Sequence, residues 1–162
     1  MAELIAPDEI MFKAFQPKVA NRFIMTIDGI PSFICKSVGR PNINIEAKKM
    51  DHINTYRKIQ GKAEWQDVTV SLYDPIVPSG AQAVMEWVRL GYESVTGRAG
   101  YADFYKRDCQ IKMLDPIGTV VELWDIKGAF LTSVNFNTLD YSGDEVMMID
   151  MTIKFDNCVL QF

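Results

Sequence analysis

One stretch, "VMMIDMTIKFDN" (146–157), constrains the fold most, because its side chains sort strictly by parity. Met147, Ile149, Met151, Ile153 and Phe155 fall on one side, and Met148, Asp150, Thr152, Lys154 and Asp156 on the other. A period of two from 147 to 155 describes a long strand with one buried face and one polar, wet face. The chain must therefore build a sheet covered on one side only.

Other segments repeat the pattern. "VTVSLY" (68–73) sets Val68, Val70 and Leu72 against Thr69, Ser71 and Tyr73. "RFIMTID" (22–28) runs through the turn signal Gly29-Ile30-Pro31 into "SFICKSV" (32–38), which predicts a hairpin. "NINIE" (42–46) alternates as well, and "VVELWDIKGAF" (120–130) and "TSVNFNTL" (132–139) are less cleanly patterned strands. One helix is predicted from about Ser79 to Val95. Pro78-Ser79 caps it, and Ala81, Val84, Met85, Val88, Tyr92 and Val95 recur at helical spacing. Trp87 sits at the edge of that stripe, a position for partial burial, and Gly97-Arg98-Ala99-Gly100 ends the helix.

Two segments do not fit the scheme. "AKKMDHINTYRKIQGK" (47–62) reads as a long, polar, basic loop, and loops beyond about 12 residues are usually functional or disordered. Residues 1–20 read as an N-terminal arm whose Phe12 and Phe15 need something to dock on. A length of 162 residues suits a single domain, 1–162, mainly β with one helix.

Charge and cysteine usage exclude several classes. A net charge of −4 disfavours a protein that grips nucleic acid through its phosphates. The charge is uneven: Lys48, Lys49, Arg57, Lys58 and Lys62 outnumber Glu46, Asp51 and Glu64 between 41 and 64, whereas 115–162 holds eight acids against Lys127 and Lys154. Such asymmetry fits either ordinary solvated surfaces or a self-complementary molecule whose basic loop meets the acidic surface of a second copy. Cys35, Cys109 and Cys158 are odd in number, far apart and without a Cys-x-x-Cys pair, arguing against a disulfide framework or a structural zinc site. The start of the chain lacks the bases of a signal peptide, and no apolar run is long enough for a membrane helix, so a cytoplasmic product without a membrane anchor is expected.

No catalytic constellation emerges. His52, the single histidine, lies in the polar loop without a thiol or serine motif nearby. Glu64 and Asp67 point to opposite faces if they lie on one strand. "TGRAGYADFYKRD" (96–108) lacks the Gly-Lys-Ser/Thr ending of a phosphate loop, and its interleaved aromatics and bases could stack on single-stranded nucleic acid only against the acidic background. Neither catalysis, nor a cofactor, nor a metal is expected.

In order and spacing, "NRFIMTIDGIP" (21–31), "KSVGRPNINIE" (36–46), "WQDVTVSLYDPIVPSGAQAVMEWVR" (65–89), "GRAGYADFYKRD" (97–108), "WDIKGAFLTSVNFNTLDYS" (124–142) and "MTIKFDNCVLQF" (151–162) resemble the tail tube protein of contractile-tailed bacteriophages. The resemblance implies a β-sandwich or open barrel with a flanking helix. It also implies rings of six copies whose inner sheets join, stacked into a hollow virion tube for genome ejection. Its implied partners are further copies of itself, the tail sheath, and baseplate hub, tape-measure and tail terminator proteins, with DNA passing transiently. Assembly is implied in the host cytoplasm. Tubes of contractile injection and type VI secretion systems share the architecture and remain open as contexts.

On that resemblance the segment 47–62 is the loop that reaches a neighbouring ring. Lys48, Lys49, Asp51, Arg57 and Lys58 are then candidate inter-ring contacts, with Phe12 and Phe15 a second set. Thr69, Ser71, Asp150, Thr152 and Lys154 are candidate lumen linings, because a conduit wall should be polar and should not hold phosphate. A different class stays open too: a β-barrel enclosing a small apolar ligand.

Overall fold

The computed structural model describes residues 16–162, and the arm residues Phe12 and Phe15 lie outside that range. Nine strands and one principal helix follow in the order β1 (Phe23–Ile27), β2 (Cys35–Val38), β3 (Ile43–His52), β4 (Thr55–Trp65), β5 (Val68–Tyr73), α1 (Gly80–Gly91), a short α2 (Ala102–Tyr105), β6 (Arg107–Leu114), β7 (Val120–Asn135), β8 (Met148–Lys154) and β9 (Asn157–Leu160). β7 belongs to two layers at once. Its first part pairs with β6 and β9, and its last part pairs with β8. One layer therefore runs β1–β6–β7–β9 and the other β7–β8–β5–β2, all antiparallel.

The crossing point has a local cause. Arg107 opposes Ala129 and Cys109 opposes Ile126, so β7 carries an extra residue there. Gly128 sits in that bulge at φ +67, a left-handed conformation that costs any other L-residue about 1–2 kcal/mol. A bulge bends its strand and raises the local twist, which turns β7 from one layer into the next. Asp108 holds the bend by accepting from the Gly128 N–H at 3.2 Å.

Parity then fills the space between the layers. Val68, Val70 and Leu72 of β5 meet Ile149, Met151 and Ile153 of β8, all at most 2 % exposed. Met25, Ile27, Cys109, Ile111 and Ile126 close the core from the other layer. A ligand-binding barrel needs room at this place, and here apolar side chains occupy it. α1 adds Val84 and Trp87 to the same core. Its start follows expectation, with the Ser79 hydroxyl accepting from Gln82 N–H at 3.4 Å.

Four expectations need correction. Segments 22–28 and 32–38 do not form a hairpin: β1 pairs with β6 and β2 with β5, in different layers. The turn at Gly29 (φ +80) and a 3-10 turn over Ser32–Ile34 carry the chain across instead, and only Ile27 and Ile30 touch as an isolated bridge. The helix stops at Gly91, because Tyr92 is extended and bridges back to Ala99, which leaves Val95 exposed. Trp87 is wholly buried rather than peripheral, its indole N–H donating to Tyr105 O at 2.7 Å. Finally, 47–62 is no loop. It forms most of a two-stranded hairpin, β3–β4, closed at Ile53-Asn54.

Replacing Gly128 by Ala tests the layer crossing. It should lower unfolding free energy by at least about 1–2 kcal/mol, the cost of the left-handed backbone, and the new Cβ would add a clash with Asp156 Oδ2 at 2.3 Å. An unchanged urea midpoint would show that the bend does not depend on this residue.

Candidate assembly surfaces

The outer face of the β7–β8–β5–β2 layer is a continuous polar surface. Register places Thr69 beside Thr152 and Ser71 beside Asp150, with Ser133 and Asn135 of β7 opposite Thr152 and Asp150. All five expected lumen residues, Thr69, Ser71, Asp150, Thr152 and Lys154, thus share one face. The face is internally tied: Ser71 Oγ donates to Asp150 Oδ1 at 2.6 Å, and Asn137 Nδ2 donates to Asp150 Oδ2 at 3.3 Å. Lys154 lies 3.9 Å from Asp67. With Lys36 reaching Met148 on the same face, Lys36 and Lys154 balance Asp67 and Asp150. The acids of 115–162 are dispersed, with Asp125 on the other layer and Asp140, Asp144 and Glu145 on the β7–β8 loop.

Among the described residues, both edges of this layer are open. β2 pairs only with β5, and β7 beyond Phe130 pairs only with β8. Unpaired ladder groups of this kind are templates for another strand.

The hairpin is the second surface. Every residue from Ile43 to Trp65 is exposed except Gly61 and Trp65, which are half-buried. It prolongs the β2–β5 ladder: Gly39 N–H donates to Thr69 O at 2.9 Å, Gln66 N–H donates to Asn42 O at 2.8 Å, and Ile43 then faces Trp65. At about 3.3 Å per residue the ribbon reaches roughly 30 Å past the sheet. The expected contact residues divide between its faces. Lys49 stands directly opposite Lys58, while Lys48 and Arg57 share the other face with Met50 and Ile59. Asp51 is already paired with Lys49 at 2.9 Å, and Lys49 also lies 4.7 Å over the Tyr56 ring.

At the root of the hairpin is a cluster that sequence reasoning missed. Glu122 of β7 is 3 % exposed. It accepts hydrogen bonds from Lys18 Nζ, Arg40 Nη2 and Trp124 Nε1. Arg40 lies in the link between β2 and β3, and Lys18 precedes β1, so one carboxylate ties both chain segments to the wall. The signal was present in "VVELW", where an acid falls in phase with the inward Trp124 and Ile126. On the opposite side of the root, the Trp65 and Phe155 rings pack at 5.9 Å.

The remaining candidates resolve into structure. His52 is exposed on β3 opposite Thr55. Lys106 pairs with Asp156 at 2.7 Å, and the Arg107 guanidinium lies 5.1 Å from the Trp87 ring and donates to Asp28 O at 2.6 Å, so these two bases of 96–108 are engaged, while Arg98 is exposed. Among the described residues no group of three or more His, Cys, Asp or Glu is placed to hold a metal, and no helix is long and apolar enough to cross a membrane.

Comparison with known proteins gives one consistent result. The sequence profile described as "T4-like virus tail tube protein gp19" matches residues 19–159. Among solved structures, the tube-terminating cap of the anti-feeding prophage superposes at a TM-score of 0.75 with 21 % identity, covering 97 % of this chain and 99 % of that one. A chain of the PVC sheath-tube complex, an extracellular contractile injection system, gives 0.71 at 18 % identity over 98 % and 99 %. A chain of the anti-feeding prophage baseplate gives 0.70 at 11 % identity over 91 % and 97 %. Identities this low establish likeness of fold. Curated protein sequences give no match.

The Glu122 cluster carries a pH signature. Burial opposes its charge, but the bonds from Lys18, Trp124 and Arg40 outweigh that and hold its carboxyl at about 2, below the ordinary 4.5. A depressed folded-state value means the stabilisation is complete above about 4.5 and is lost as pH falls toward 2. The loss is on the order of 2–3 kcal/mol. Glu122→Gln should be less stable at pH 7 and show a flatter stability profile between pH 4.5 and 2 in urea melts. Parallel profiles for the two proteins would exclude this role.

Proposed function

We propose a specific mode of assembly for a chain that belongs to the T4-like virus tail tube protein family, and so is a structural subunit of a tail tube. Six copies close side by side through the open edges of the β7–β8–β5–β2 layer, with the β2 edge of one copy meeting the β7 edge of the next. The observation that carries this reading is that layer itself, with its inner face buried, its outer face polar and both edges unpaired among the described residues. Four strands per copy make a ring-shaped barrel roughly 40 Å across its backbone, wide enough for a nucleic-acid duplex. Closure also removes the exposed edges that would otherwise recruit chains indiscriminately.

In that ring Thr69, Ser71, Asp150, Thr152 and Lys154 line the lumen. Balanced charge suits a conduit through which DNA passes without being held, because binding strength follows the number of phosphates neutralised by free bases. Lys154 stands near Asp67, and the other four side chains are neutral or acidic.

The hairpin reaches the neighbouring ring, and Lys48, Lys49, Arg57 and Lys58 contact it. The chain has no catalytic role in this reading, and Phe12 and Phe15 of the arm form a further contact between copies. Sheath, baseplate hub, tape-measure and terminator proteins complete the particle, which assembles in the host cytoplasm. The similar folds of chains from an injection-system cap, sheath-tube complex and baseplate support sheath, baseplate and terminator among these partners and leave both phage tail and injection particle as settings.

Electron microscopy of the purified protein at moderate salt, alone and with a baseplate extract as template, is the direct test. Six-fold rings and hollow tubes are expected, and single-subunit particles in both conditions would refute the reading. Lys48→Glu with Lys49→Glu should leave rings intact, shorten tubes and reduce the dependence of tube yield on salt. Unchanged tubes would remove the hairpin from the stacking contact.

A further inference from the structure

The two ends of the polar layer are chemically opposite. At one end the β2–β5 ladder runs on into the basic hairpin, past Gly39 and Gln66. At the other end β7 leaves at Asn135, β8 enters at Met148, and the residues between them form a twelve-residue excursion, 136–147. The β5–α1 link emerges at the same end, since Asp74 N–H donates to Met147 O at 3.1 Å. The excursion carries Asp140, Asp144 and Glu145 and no base. Its apolar side chains are uncovered: Leu139 is 83 % exposed, and Tyr141 and Val146 are exposed too. Ile76 and Val77 of the neighbouring link are likewise exposed.

The hairpin presents the complement. Met50, Ile53, Tyr56 and Ile59 are exposed on it among Lys48, Lys49, Arg57 and Lys58. Lys49 and Lys58 face each other across the ladder, an arrangement that destabilises an isolated hairpin. Asp51 offsets Lys49, whereas among the described residues Lys58 has the Tyr56 ring at 5.8 Å and no acid. Both surfaces pair exposed apolar side chains with one dominant sign of charge, and the signs differ.

Resting on the tube reading above, we infer that the hairpin of one copy docks on the 136–147 excursion of a second copy, head to tail. The excursion's acids meet the hairpin's bases while Leu139, Tyr141 and Val146 meet its apolar residues. The two surfaces lie at opposite ends of one sheet, so each docking leaves a free hairpin and a free excursion. Such a heterologous contact repeats without closing. The stack thereby gains a direction.

Charge exchange between the two surfaces tests this. Lys48→Glu with Arg57→Glu should cut mean tube length about tenfold, and Asp144→Lys with Glu145→Lys should do the same, each leaving rings intact. All four changes in one chain should restore length to within about twofold of the parent. Circular dichroism checks that each variant folds. If the excursion variant misfolds, Leu139→Ser with Tyr141→Ser is the substitute and should also shorten tubes. Excursion variants that stack like the parent, or a fourfold variant no better than its halves, would overturn the docking while the tube reading stands. Absence of rings from the parent itself would overturn both.

Discussion

The bulge at Gly128 is the constraint on which the rest of the molecule depends. Without it, β7 would continue in one layer, and β8, β5 and β2 would have no reason to fold over β6 and β1. With it, sixteen consecutive residues serve two sheets, and the buried parities of both meet across a single core. The Asp108 bond to the Gly128 amide, the Lys106–Asp156 pair and the packing of Tyr105 on Phe130 all gather around this bend. Trp87 closes the same region from above through its bond to Tyr105. The helix is therefore placed by the strand crossing and not the reverse.

Local pattern carried the inner half of the fold well. Parity marked β5 and β8 together with their buried and exposed faces, because a one-residue shift would turn Ile149 and Met151 outward and Asp150 inward. "RDCQIKML" alternates in the same way, as Cys109, Ile111 and Met113 against Gln110 and Lys112, yet it was hidden by the aromatic and basic residues before it. Partnership between strands was not legible. The turn at Gly29 looked like a hairpin turn, although the partners of β1 and β2 come from far along the chain. Most of the hairpin, 47–62, was read as a loop because its side chains are nearly all exposed and show no clear hydrophobic period; only its first residues, 42–46, displayed the alternation of a strand.

The candidate surfaces divide along the same line. The polar face followed from strand parity, which fixes side without tertiary information. Glu122 did not, because recognising a buried carboxylate requires knowing that Lys18 and Arg40, each remote in sequence, converge on it. Chain-level charge was misleading in one respect. The acidic C-terminal portion does not coat the polar face; much of its charge sits on the excursion at the end of the sheet, where it faces along the strands and not across them.

The hairpin is a continuation of the β2–β5 ladder rather than an appendage hinged to it. In an antiparallel pair the inter-strand hydrogen bonds lie perpendicular to the strands. A push or pull delivered at Ile53 along the ribbon loads its two strands together, and the β5–β8 bonds, which lie across that direction, take it in shear, many at once, instead of opening singly from an end. Arg40 and Trp65 meet that force at the root, one through a buried carboxylate and the other through an aromatic stack. In the column proposed above, a lengthwise load would be met in this way at every subunit, and a ribbon resists sliding better than peeling.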